Sequence, residues 1–260
     1  MEEYYLICED SLEGIFTGIY DAYLLKKPHE QIHICVGEEE NYRLFAVYEK
    51  HEPDDRKAVK VARTIGREFG SEAYMSICRA LASPETDKGE AVYKTIVTGL
   101  QMRNKKDVMG NLINPYVHRV FELARFTANE AHYHVEFLRF QELESGILYA
   151  EIGPKNNIIT FIMPHFADRL PLENFVIYDE VRNIYAVHPA RGEWYLVCGE
   201  NKIEQIGQYF SEGEKVYSEL FCHFFHTIAI KERTNGNLQR NMLPLRYRKY
   251  MTEFLKNNCI

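Results

Sequence analysis

The chain has 260 residues, with 31 Lys and Arg against 38 Asp and Glu, a net charge of −7 and 46% hydrophobic residues. That is ample apolar material for a buried core, and the negative total excludes a protein that coats a phosphate backbone by bulk charge alone. The six cysteines are scattered with no Cys-x-x-Cys pair, a pattern of reduced thiols that calls for neither a metal nor a cofactor.

Tyr4 to Cys8 reads as a short buried strand. Asp10 or Ser11 then caps a helix running to about Lys26, with Leu12, Ile15, Phe16 and Ile19 on one stripe. Gln31 to Val36 and Arg43 to Tyr48 have the alternation of strands, so the chain opens on a small sheet with a helix across it. From Asp54 to about Asn129 the period becomes helical. Helices are expected from Asp54 to Phe69, from Glu72 to Ala82 and from Lys88 to Met102, and a long one opens at Pro115. Beyond it Tyr133 to Gln141, Gly146 to Gly153, Ile158 to Met163, Asn174 to Tyr178, Asn183 to Val187 and Glu193 to Cys198 read as strands of an antiparallel sheet. Gly213 to Ala229 follows as a helix with Val216, Leu220, Phe224 and Ile228 on its inner face, and Pro244 to Leu255 as a short last helix.

The expected class is therefore α+β. A small N-terminal sheet with a helix and a central helical subdomain occupy residues 1–130, and an antiparallel sheet with helices occupies residues 131–260. The acidic start, and the lack of an apolar run of membrane-spanning length, lead us to expect a cytoplasmic protein with no membrane partner.

The residues that could carry chemistry lie in the second half. His165 follows Pro164, with Asp168 and Arg169 three and four positions on. An imidazole there can act as general acid or base or bond a phosphate, or it can simply cap or pack. Asp179 and Arg182 stand in a turn between strands, where the acid could orient His165 or act as a base and the guanidinium could clamp a phosphate. The alternative is an aspartate that caps the turn and pairs with Arg182. Arg139 sits among apolar neighbours and needs either a partner, Glu142 or Glu144, or a ligand phosphate. The stretch from Lys231 onward is locally basic, with Lys231, Arg233, Arg240, Arg246, Arg248, Lys249 and Lys256 against Glu232 and Glu253. Within it Arg233, Asn235 and Gln239 mix phosphate-binding and base-reading groups, and Arg246 with Tyr247 or Tyr250 can contact phosphate and stack on a base. A C-terminal hook held by Met242, Tyr247, Tyr250 and Phe254 is the packing alternative. His132 with His134, and His223 with His226, lack the partners of a metal site.

These elements, the His-Phe-x-x-Arg run at His165, the Asp-x-x-Arg at Asp179, the Arg-Phe-x-Glu at Arg139, the Glu-Arg-x-Asn before Gln239 and the segment around Arg246, resemble a bacterial family of DNA metabolism or DNA repair proteins. Its domain also occurs fused to a uracil-DNA glycosylase-like domain and is often encoded beside a radical-SAM protein assigned to DNA modification. The chain departs from the family pattern at Leu170, where a second aromatic is usual, and at Arg248, where Trp is frequent. The resemblance implies a DNA repair or DNA modification protein that binds nucleic acid and has the radical-SAM protein as partner. An enzyme acting on DNA or a nucleotide remains open, with His165 and Asp179 as acid-base pair and Arg169, Arg182 and Arg233 as phosphate ligands. So does a scaffold without catalysis.

Overall fold

The computed structural model describes residues 2–37, 43–199, 209–228, 230 and 235–254, with the backbone alone at 226. They form two compact units, residues 1–129 and 130–260.

In the first unit β1 (Glu3–Cys8) lies between β2 (Ile32–Val36) and β3 (Ala46–His51), parallel to both. The parallel return from β1 to β2 is made by α1 (Leu12–Leu24). The Ser11 hydroxyl accepts the Gly14 N–H at 2.9 Å and caps that helix. Gly18 lets α1 lie against β1: a Cβ there would fall 2.2 Å from the Cys8 sulfur. Ile15, Phe16 and Ile19 pack into a core shared with α2 (Asp55–Phe69), α3 (Ser71–Leu81), α4 (Lys88–Gln101) and the first part of α5 (Pro115–Phe137). Each such buried side chain contributes about 1.5 to 3 kcal/mol. Charges within this unit are tied down. Asp21 accepts from Lys57 at 2.8 Å and from His51 at 2.8 Å, and the Lys94 ammonium bonds the carbonyls of His29 and Ile32.

The second unit is built on a five-stranded sheet in the order β4 (Gln141–Glu142), β5 (Leu148–Ile152), β6 (Phe175–Asp179), β7 (Ile184–His188), β8 (Tyr195–Cys198). It is mixed, not antiparallel throughout, because β5 and β6 run parallel. The reason is that the stretch expected as a strand from Ile158 is α6 (Ile159–Arg169), the crossover that carries the chain back to the same end of the sheet. Ile159, Ile162, Met163 and Phe166 are buried at helical spacing against Ile152, Phe175 and Ile177. A short apolar run such as Ile158 to Met163 fits a buried helix as well as a strand.

The strand expected from Tyr133 is likewise the end of α5, which continues to Phe137. Its polar-apolar alternation hides i,i+4 pairs: His132 with Glu136 at 3.0 Å and Tyr133 stacked on Phe137 at 6.0 Å. Another correction concerns α7 (Glu212–Thr227). Its expected inner face is open, with Val216, Leu220, Phe224 and Ile228 all more than half exposed, and the helix instead buries Ser218 and Cys222. The Cys222 thiol donates to the Thr252 carbonyl at 3.5 Å, so the side of α7 turned to the 3₁₀ turn Thr252–Phe254 is the narrow one. The chain then forms α8 (Gly236–Met242) and α9 (Leu245–Arg248). No helix among the described residues is long and apolar enough to cross a membrane.

Candidate functional site

Along β5, Leu148 and Ile152 join the core that packs on α6, so Tyr149 and Glu151 point to the opposite face of the sheet. On that face the second unit has a cavity of about 200 Å³, lined by Tyr149, Glu151, Glu180, Arg139, Lys249 and Tyr250 together with Gln141 and Phe210. Glu180, directly after β6, is bonded by the Lys249 ammonium and the Tyr250 hydroxyl. Glu151 lines the same cavity. Burial by itself would raise the Glu180 pKa, but the bonds from Lys249 and Tyr250 outweigh it and bring the group down to about 2. Burial and donation to Glu180 push the Tyr250 phenol upward. Gly153 makes this packing possible, since a Cβ there would lie 1.8 Å from the Tyr250 hydroxyl oxygen and 2.8 Å from Glu180 Oε1.

A second polar knot anchors the C-terminal segment. Glu130, on α5 and almost fully buried, accepts the backbone N–H groups of Lys155 at 3.1 Å and Asn156 at 2.7 Å, the Asn156 side-chain amide at 2.6 Å, and the Arg246 guanidinium at 3.1 Å. His134, one turn further along α5, lies edge-on to Tyr247 at 5.0 Å with its Nε2 buried and without a partner. Burial is the main cause that lowers its pKa to about 4. The nearby Glu130 opposes the shift and Arg246 adds to it.

Residues 86–253 match the model of the family described as Domain of unknown function (DUF4130). The chain belongs to the DUF4130 family. Among curated proteins none matches it. The DUF4130 match takes in the cavity, the Glu130 knot and both C-terminal helices.

The residues singled out in this DUF4130 sequence fall in several places. Asp179 is fully buried and its carboxylate is occupied: Oδ1 accepts the N–H groups of Val181 and Arg182, and Oδ2 pairs with the Arg182 guanidinium at 3.1 Å. Burial raises the Asp179 pKa against the pull of Arg182. Arg182 also donates to the Pro154 and Lys155 carbonyls, so it ties the turn to the loop after β5. His165 is exposed on α6, on the other layer of the unit from the cavity, and no hydrogen bond joins it to Asp179. The acid-base pair is therefore not assembled in this geometry, and the turn-capping alternative describes Asp179. Arg169 is exposed at the end of α6.

Arg139 pairs with Glu253 at 2.9 Å, not with Glu142 or Glu144, and also donates to the carbonyls of Glu136 and Leu138. Tyr247 is 3% exposed and packs on Tyr133, His134 and Phe137, a packing residue and not a free stacking platform. Arg246 lies over its ring and bonds its hydroxyl. Asn235 caps α8 by accepting the Leu238 N–H at 3.0 Å, and Gln239 is exposed on that helix. Arg233 lies outside the described residues.

Sequence reasoning did not single out Glu130, Tyr149, Glu151 or Glu180. The signal for two of them was present. In a strand buried on one side, Tyr149 and Glu151 share the face away from Leu148 and Ile152, and an acid there marks a lined surface more than a core.

Proposed function

We propose that this chain is a DNA-binding protein of DNA repair or modification, working beside a radical-SAM partner, and that its C-terminal helices form the DNA-contacting surface. The observation that carries the reading is α8, which has no buried residue. Gln239 and Arg240, with Asn237 alongside, are exposed on it. Amides and a guanidinium on an exposed helix are groups that read base edges and hold phosphates. Arg246 on α9 adds a half-exposed cation fixed in place by Glu130 and Tyr247. The negative total charge does not oppose this, because affinity for a polyanion follows the local charges within about a Debye length.

The scaffold reading is favoured by one specific feature, the open apolar stripe of α7 with Val216, Leu220 and Phe224, which suits a protein surface better than a phosphate backbone.

Fluorescence anisotropy with labelled single-stranded and duplex oligonucleotides across a salt series tests the proposal, with Gln239→Ala/Arg240→Ala as the variant. These side chains are exposed, so folding is expected to be unaffected. The expected result is binding that weakens with salt and falls roughly five- to tenfold in the variant. Absence of binding to either DNA form at low salt sinks the DNA reading and leaves the scaffold.

A further inference from the structure

The cations of the C-terminal segment are not equally available to a phosphate. Arg240, on α8, is exposed. Arg246 and Lys249 stand three positions apart on α9 and its helical C-cap, so they share one face. Each is tied to a carboxylate of the same unit, but in a different way. The acceptor of Arg246 is Glu130, whose side chain is only 3% exposed, and the Tyr247 hydroxyl and ring hold the same guanidinium. That cation is fixed. Lys249 is paired with Glu180, whose side chain is 27% exposed, and the lysine side chain itself is 57% exposed. An ion pair open to water contributes little net stability, and the flexible lysine stem can carry its ammonium to another anion. Glu180 is not stripped of donors when that happens, because the Tyr250 hydroxyl also bonds it.

A carboxylate and a phosphate offer a lysine the same thing, an anionic oxygen that accepts a charge-assisted hydrogen bond. We infer that Glu180 is an internal competitor for Lys249: it occupies the ammonium in the free protein, and a DNA phosphate takes its place, so that Lys249 is a phosphate contact held in reserve beside Arg246. The inference rests on the DNA-binding reading and gives that surface an autoinhibitory contact. It separates Lys249 from Arg240, which stands exposed on α8, and from Arg246, which is pinned where it is used. It also has a consequence that a plain basic patch does not share. Removing the acid at position 180 strengthens binding, and does so only while Lys249 is present to be released.

The test uses the full chain and labelled single-stranded and duplex oligonucleotides in fluorescence anisotropy, with wild type, Glu180→Gln and the double variant Glu180→Gln/Lys249→Ala. Glu173→Gln is the control: it makes the same change of charge at an exposed residue beyond the opposite end of β6. Glutamine at 180 keeps an acceptor for the Tyr250 hydroxyl. Glu180→Gln is expected to bind about fivefold more tightly than wild type at 50 mM salt, a gain that shrinks to below about twofold at 200 mM, since one added phosphate contact steepens the salt slope by about 0.7 to 0.9. The double variant has the net charge of wild type and is expected to lose the gain. Glu173→Gln is expected to stay within about twofold of wild type. Circular dichroism and a melting curve identify a variant that fails to fold, and Glu180→Ser carries the same expectation should the glutamine variant do so. No gain in the folded variant at position 180, a gain that persists without Lys249, or an equal gain in Glu173→Gln overturns the competitor and leaves DNA binding intact. Binding by none of the proteins at low salt overturns both readings.

Discussion

Removal of the Glu130 carboxylate leaves two backbone N–H groups, an amide and a guanidinium without their common acceptor, three of them bonded in a site that is almost closed to water. Breaking such a buried charged knot costs about 3 to 5 kcal/mol. Glu130→Ala is therefore expected to lower the unfolding free energy of the second unit, read from urea titration, by that amount, and Glu130→Gln by less, because one acceptor oxygen remains. A loss under 1 kcal/mol for the alanine variant contradicts the role assigned here. His134 next to it sets a pH dependence. Its folded pKa of about 4 is below the ordinary histidine value of about 6.5, so between these limits the unfolded chain binds a proton that the folded chain does not. Stability is complete above pH 6.5, falls as the pH drops through the window, and levels off below 4. From pH 7 to 5 the loss is about 2 kcal/mol in urea unfolding, and His134→Leu is expected to flatten that part of the profile. An unchanged profile in that variant assigns the acid sensitivity to another group.

At the scale of elements, capping residues legible in the sequence do what their chemistry predicts. Asp54 accepts the N–H groups of Arg56 and Lys57 at the start of α2, and its own backbone N–H donates to the Thr17 hydroxyl of α1. Asp54→Ala is expected to cost the first unit about 1 kcal/mol, read as a drop in its thermal midpoint, since the backbone bond to Thr17 survives. Elements were misread where a tertiary partner decided between two local readings. The Ile158 to Met163 run is apolar except at Thr160, too short for its period to choose, and only the underside of a sheet made by β5, β6 and β7 selects the helix. The end of α5 continues past the expected boundary because Glu130 and His134 are needed on a helix to meet Asn156 and Tyr247. In α7 the apolar spacing correctly gave a helix but not its orientation, because spacing defines a stripe without saying what covers it.

For the molecule as a whole, charge distribution is the property that the DNA reading puts at risk. Two phosphate contacts, at Arg240 and Arg246, give a salt slope of about 1.4 to 1.8, so affinity is expected to drop roughly 7- to 12-fold between 50 and 200 mM salt, in the anisotropy series described above. The net charge of −7 belongs to the chain, while the binding term belongs to one surface of the second unit. The α+β class, the strand-helix opening, the four helices from Asp54 to Pro115 and beyond, and the last three strands of the large sheet follow from periodicity and capping, which are local and written in adjacent residues. The cavity does not. It joins Arg139, Tyr149, Glu180 and Tyr250 across more than a hundred positions, and it exists because a crossover helix makes β5 and β6 parallel and because Gly153 leaves room for the Tyr250 hydroxyl. By itself the sequence determined which segments are helical or extended wherever the pattern had one reading. Only the tertiary structure decided which polar groups meet, because hydrogen bonds and burial act over a few ångströms in space irrespective of separation along the chain.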